Sequence, residues 1–270
     1  MALTEFQRGV CRIIAANRIR GGESYVAGGA ALTAITGSPR LSRDVDLFHD
    51  SREAVVVTWE KDCRLLTSHG YTVQMRRQFP GFIEAIVAQA DQQIVLQWVH
   101  DSAYRFFPLV EHVDFGLTLH PFDLAVNKTL ALVGRLEPRD WIDMIYCHQS
   151  IQRLGLLAWA GCGKDPGLSP LFILEQAGRS AHYSKAELDK LEFAGSPPDA
   201  ASLSREWQAM LSEARTIVDT LPAEEAGKCV LASSGVLFSG GPIELRRALA
   251  QGELRFHEGA LHGALPRVAL

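Results

Sequence analysis

No stretch of about 18 consecutive apolar residues occurs in this 270-residue chain, so no membrane-spanning helix is expected. The opening residues, Met1-Ala2-Leu3-Thr4-Glu5, carry an acid early and no apolar core of signal length. Basic residues are not in excess either. The 27 Lys and Arg are outnumbered by 31 Asp and Glu, giving a net charge of −4. That balance argues against a general nucleic-acid coating protein, although it allows a local basic cleft. Cysteine is sparse and scattered: Cys11, Cys63, Cys147, Cys162 and Cys229 are odd in number and form no Cys-x-x-Cys pair. A reduced, cytoplasmic chain with buried thiols is expected. Internal repeats and low-complexity tracts are absent. What remains, 47% apolar and 21% charged residues, is an ordinary soluble globular composition. It is long enough for one large domain or two modest ones.

The most informative stretch is short. Gly28-Gly29-Ala30-Ala31-Leu32 is followed, after a polar turn, by Ser42-Arg43-Asp44-Val45-Asp46-Leu47-Phe48. Side chains alternate along a strand, so Asp44 and Asp46 on an extended segment project to one face. Two acids there repel each other unless a cation or a donor sits between them. A hard divalent ion such as Mg²⁺ suits that arrangement, because it takes carboxylate oxygens and completes its shell with water and substrate phosphates. Ser24 to Ala27 reads as a short strand, and Ala30 to Ile35 as the opening of a helix. Glycines at such a turn let a triphosphate approach the backbone beside free N–H groups at the helix start. Either half alone would be a plain turn or a solvated strand end. In this order they describe a site for a metal-bound nucleoside triphosphate.

Around this stretch the periodicity is clear. Phe6, Val10, Ile13 and Ile14 recur at helical spacing over residues 4–19, and Glu53 to Ser68 predicts a second helix closed by His69-Gly70. Tyr71 to Arg76, Phe82 to Ala88 and Gln93 to Val99 read as strands, with turns at Pro80-Gly81 and Asp91-Gln92. Residues 1–119 therefore suggest a small α/β or α+β domain. From Pro121 the pattern turns helical. Phe122 to Gly134 is followed by a helix entered at Pro138, then by a Gly-rich break at Gly161 to Gly167. Further helices are expected at Ser169 to Ala177, after the capping box of Ser184 and Glu187, at Leu203 to Leu221 and at Pro242 to Ala250. Residues 120–270 are expected to form a helical domain that completes the cleft of the first.

A second constellation lies in that helical part. Lys128 and Arg135 are seven apart on one helix face, and most of their neighbours are apolar. A buried lysine rarely stays unpaired, so its partner is an internal carboxylate or a phosphate. Asp140 and Asp143 follow at i and i+3, beside Arg139, and would be adjacent on the next helix. Those three residues would also serve simply to lock two helices together.

With these motifs the sequence resembles the AbiEii-type nucleotidyltransferases, a branch of the polymerase-β-like superfamily found in bacterial abortive-infection and type IV toxin–antitoxin modules. The resemblance spans about Tyr25 to Tyr146 and rests on four ordered motifs. These are Gly28-Gly29-x-Ala31-Leu32, Ser42-Arg43-Asp44-x-Asp46-Leu47-Phe48, Asp123-Leu124-Ala125-x-x-Lys128-x-x-Ala131 and Arg135-x-x-x-Arg139-Asp140-x-x-Asp143. It implies an α+β fold, a polymerase-β-like core with a mixed sheet followed by a helical C-terminal bundle. It also implies transfer of a nucleoside monophosphate from an NTP, with Mg²⁺ or Mn²⁺, to an acceptor such as tRNA or protein. A cognate antitoxin would be a partner. Carried over, Gly28 and Gly29 cradle the triphosphate, with Ser42, Arg43, Arg135 and Arg139 also on the nucleotide. Asp44 and Asp46 hold the metal, Lys128 neutralises the phosphates, and Asp140 lies near the acceptor or nucleotide.

Two departures stand out. Ala30 follows Gly29 where the superfamily usually places a serine. Such enzymes also commonly carry a third carboxylate on a later strand, but the polar interior residue of Ile94 to Val99 is Gln97, which takes no proton at neutral pH. Glu84, Asp91 and Asp101 are the candidate substitutes. Two other functions therefore stand beside the first: a catalytically degenerate NTP-binding or partner-binding relative, and a nucleotidyltransferase acting on a small molecule such as an antibiotic. His49, at the end of the acidic strand, is a candidate for touching the acceptor. The aromatics of Tyr104-Arg105-Phe106-Phe107 are expected in the core rather than against a base.

Overall fold

The computed structural model describes residues 3–135, 137–179 and 183–266. The outermost residues of the two expected domains, 1, 2 and 267–270, lie outside the described residues. In chain order the elements are α1 (Glu5–Gly21), β1 (Ser24–Ala27), α2 (Gly28–Thr36), β2 (Asp44–His49), α3 (Arg52–Ser68), β3 (Thr72–Phe79), β4 (Phe82–Gln89) and β5 (Gln92–His100). Three short strands follow, β6 (Tyr104–Arg105), β7 (Val110–His112) and β8 (Gly116–Thr118). Helices then dominate: α4 (Pro121–Arg135), α5 (Pro138–Ser150), α6 (Leu154–Lys164), α7 (Pro170–Gly178), α8 (Lys185–Leu188) and α9 (Ala200–Thr220). The chain closes with β9 (Cys229–Ala232), α10 (Pro242–Ala250), β10 (Leu254–His257) and β11 (Ala260–Leu261). This is a mixed sheet followed by a helical bundle. The chain divides into two compact units, Met1–Ala103 with Leu109–His120, and Tyr104–Pro108 with Pro121–Leu270.

The first unit is built on a seven-stranded sheet of order β3-β4-β5-β2-β1-β8-β7. It is mixed, because β2 runs parallel to β5 and β1 parallel to β8, while the β1–β2 and β3–β4–β5 pairings are antiparallel. Helix α1 begins at a capping box of Thr4 and Gln7 and stops at Gly22, whose left-handed backbone is open to glycine. Its buried stripe includes Val10, Cys11, Ile14 and Arg18. Arg18 donates to Asp62 of α3 at 3.2 Å, and Trp98 of β5 donates its indole N–H to the same carboxylate at 3.0 Å. Asn17 satisfies the other carboxylate oxygen at 2.9 Å. This buried cluster fixes α1 and α3 on the sheet face that carries Trp98 and, by register, Leu47. The opposite face carries Asp44 and Asp46.

The turn between β4 and β5 is at Ala90-Asp91, one residue before the expected Asp91-Gln92, and Ala90 takes the left-handed conformation (φ 55°). In the second unit, the break expected at Gly161 to Gly167 falls later, over residues 165–169 between α6 and α7. Gly161 and Gly163 lie inside α6, which is buried nearly all round among α4, α7 and α9. These glycines allow close packing instead of ending the helix. A methyl group on Gly163 would meet the Gly227 carbonyl oxygen at 2.0 Å. A helix buried on every side shows no amphipathic period.

Candidate functional site

Strand β2 alternates as its sequence requires. Asp44, Asp46 and Phe48 are half-buried on one face, and Val45, Leu47 and His49 are buried on the other. The antiparallel register sets Asp46 opposite Ala27, the last residue of β1. Gly28 follows at once as the first residue of α2, with a φ of 70° that suits glycine. The two segments touch. A methyl group on Gly28 would lie 2.0 Å from the Asp46 Oδ2 and 3.0 Å from its Cγ. One on Gly29 would lie 2.7 Å from Arg40 Nη2 and 3.2 Å from Ser42 Oγ. The diglycine bend is thus the floor under the Asp46 carboxylate and the Ser42 hydroxyl. Ala27 offers no side-chain cap to α2, so no side chain of the N-cap residue covers the first N–H groups of that helix.

The connecting loop is held in place by specific bonds. Gln7 donates its amide to the Ser42 carbonyl at 3.2 Å, and Ser42 Oγ reaches Asp44 Oδ1 at 3.4 Å. Arg40 is buried and donates from Nη1 to the Leu41 carbonyl at 3.1 Å. Sequence reasoning passed over Arg40, although a cation two residues before Ser42 in a loop leading to paired acids was a usable signal. Arg43 is exposed.

Register also explains the missing third carboxylate. Gln97 of β5 lies opposite Asp46 on one side and Glu84 of β4 on the other, and Glu84 lies opposite Arg77 of β3. Gln97 donates from Nε2 to Glu84 Oε2 at 2.9 Å. Arg77 grips the same carboxylate through Nε at 2.9 Å and Nη2 at 2.7 Å. The Arg77 hydrogen bonds hold Glu84 below the usual carboxylate range. Asp91 is in the β4–β5 turn, and Asp101 follows the end of β5, where its Oδ1 accepts from the Ser102 N–H. His49 does not join the acids. It is fully buried on the opposite face, its Nδ1 is 3.3 Å from the Val99 carbonyl, and burial lowers its pKa to about 4. Strand alternation turns it inward, since it is three residues from Asp46.

The second unit holds its own ionic cluster. Lys128 of α4 is buried and reaches Asp140 at 2.9 Å and Asp143 at 3.0 Å, both on α5. Arg135 donates to both oxygens of Asp140, at 2.5 and 2.9 Å. Burial pushes the Lys128 amine down, but the Asp143 and Asp140 carboxylates outweigh it and leave it raised. Burial likewise pushes Asp140 up, and the Arg135 and Lys128 contacts outweigh it and leave it lowered. Arg139 stands apart, paired with Glu137 at 2.7 Å. Phe106 and Phe107 are core residues, packed edge-on against Phe122. The residues expected at the site therefore form two groups: Gly28, Gly29, Ser42, Asp44 and Asp46 in one unit, and Lys128, Arg135 and Asp140 in the other.

Among the described residues no group of three or more His, Cys, Asp or Glu side chains gathers as a metal site. No described helix is long and apolar enough to cross a membrane. Several solved structures share the fold, two of them as follows. MenT4, a nucleotidyltransferase toxin from Mycobacterium tuberculosis H37Rv, is 13% identical with a TM-score of 0.54, covering 81% of this chain and 83% of that one. JHP933 from Helicobacter pylori is 16% identical with a TM-score of 0.51, covering 80% and 95%. None of the curated proteins matches the chain. The family model described as "Nucleotidyl transferase AbiEii toxin, Type IV TA system" matches residues 17–226. Since that match takes in the β1–α2 bend, the acidic strand and the Lys128 helix alike, the chain belongs to the AbiEii nucleotidyltransferase toxin family of the polymerase-β-like superfamily.

Proposed function

We propose that Asp44 and Asp46 hold a divalent ion, Mg²⁺ or Mn²⁺, and that the phosphates of an NTP lie over Gly28-Gly29. One observation carries this reading: the Gly28 backbone stands where any side chain would collide with the Asp46 carboxylate, at 2.0 Å. The donor set fits such an ion. Mg²⁺ is commonly held by one or two carboxylates, with water and substrate phosphates completing its octahedron, so a pair of acids without a third is sufficient. When bound, the ion neutralises phosphate charge and draws electrons from the reacting phosphorus. The protein's own part is positioning. The first N–H groups of α2 receive phosphate oxygens, and Arg40 beside Gly29 adds fixed positive charge. Ser42 orients the Asp44 carboxylate from its hydroxyl.

In the reaction so proposed, an acceptor oxygen bonds to the α-phosphorus while the bond to the bridging oxygen breaks. Pyrophosphate leaves with that electron pair, and the acceptor's proton passes to water. Nucleoside monophosphate is thereby joined to the acceptor, for which tRNA and protein are the candidates in a toxin of this family. Incubating the protein with each labelled NTP, Mg²⁺ and total tRNA or cell extract should label a macromolecule, and Asp46→Ala should abolish the label. If no NTP yields product and Asp46→Ala leaves any growth effect unchanged, the enzymatic reading is wrong. A second reading, an NTP-binding relative without turnover, is favoured by neutral Gln97 and by the capture of Glu84. It expects calorimetric NTP binding with no product, and no gain from Gln97→Asp.

A further inference from the structure

Asp46, Gln97, Glu84 and Arg77 stand in one row across β2, β5, β4 and β3, on the face that carries both acids. Neighbouring strands are about 4.8 Å apart, so position 97 is the one beside Asp46, and Glu84 is about 10 Å away across two strands. A carboxylate only accepts hydrogen bonds. The end of the Gln97 amide that meets Glu84 must therefore be its NH₂, which leaves Oε1 uncharged. Glu84 is in turn paired with Arg77, whose two bonds reach both of its oxygens.

Two-metal sites hold their ions about 3.5–4 Å apart, with carboxylates between and around them. Here the position that would supply the extra charge carries a neutral amide, and the next acid along the row is already neutralised by an arginine. We propose that the Arg77–Glu84–Gln97 row closes the second-cation position, so that the site takes one divalent ion, with Gln97 as the residue that sets this number. The inference rests on the reading that Asp44 and Asp46 hold a metal-bound NTP.

Electron paramagnetic resonance titration with Mn²⁺, in the presence of non-hydrolysable α,β-methylene analogues of the four NTPs, counts the ions directly. The wild type and Gln97→Leu should each bind one Mn²⁺ per chain. Gln97→Asp should bind two, and Mn²⁺ should raise its melting temperature more than that of the wild type. Two ions on the wild type would overturn the proposal, as would one ion on a Gln97→Asp protein whose circular dichroism is native. Should the wild type bind no Mn²⁺ with any analogue, the metal–NTP reading itself fails, a result distinct from a wrong count.

Discussion

At the scale of single residues, Gly28 joins two constraints that can be separated by experiment. Its φ of 70° disfavours a side chain, and its missing side chain leaves room for the Asp46 carboxylate. Gly37, at the end of α2, shares the φ of 70° but has nothing within 4 Å of where a methyl group would go. Gly28→Ala and Gly37→Ala should therefore each lose about 1 kcal/mol of stability from backbone strain. Only Gly28→Ala, which displaces Asp46, should weaken Mn²⁺–nucleotide binding, roughly tenfold for each 1.4 kcal/mol of binding free energy lost. Urea denaturation and calorimetric titration measure the two effects. Equal loss of affinity in both variants would show that the carboxylate contact does not matter.

At the scale of elements, the Lys128 cluster ties α4 to α5 through charges removed from water. Lys128→Met leaves Asp143 buried without its lysine, while Asp140 keeps Arg135. Breaking one partner of such a set costs about 3 kcal/mol or more, and Lys128→Met/Asp143→Leu should recover part of it. Denaturant unfolding that shows a loss under about 1 kcal/mol for Lys128→Met would contradict the cluster's structural role. That pairing was half legible in the sequence. A lone lysine among apolar neighbours demanded a partner, and Asp140 and Asp143, at i and i+3, offered two adjacent acids on the next helix. Strands β2, β4 and β5 were legible for a related reason, since one buried face imposes alternation, and the caps of α1, α7 and α8 follow from Thr4, Ser169 and Ser184. Other features depend on tertiary partners and leave no local trace. Strand β8 has three residues and exists by pairing with β1 and β7, and α6 is too uniformly buried to show a period. The Arg77–Glu84–Gln97 row needs the strand register, which the sequence does not carry. Arg77 also lies beyond a β-bulge at Met75/Arg77 that shifts the strand by one residue.

At the scale of the whole molecule, acid is the condition that should distinguish the buried groups. His49 is held neutral by burial, with a folded pKa of about 4 against an ordinary value of 6.5. Between those two values the unfolded chain binds a proton that the folded chain does not, so stability rises with pH across that window. The contribution is fully present above about pH 6.5 and is lost as pH falls toward 4, amounting to about 3 kcal/mol. His112 and His148 are lowered by burial as well and act in the same direction. Asp140 and Glu84 are lowered carboxylates, so their stabilisation persists to lower pH and is lost only as pH falls through their folded values. The first loss on acidification should therefore come from histidine. His49→Leu removes that group's titration, and the stability gap between this variant and the wild type should change by about 2 kcal/mol between pH 7 and pH 4.5, in the variant's favour at the lower pH. Urea midpoints of both proteins at the two pH values measure it. A gap that stays constant would mean that His49 takes up its proton at the same pH in the folded as in the unfolded chain, and that water reaches the buried face of β2.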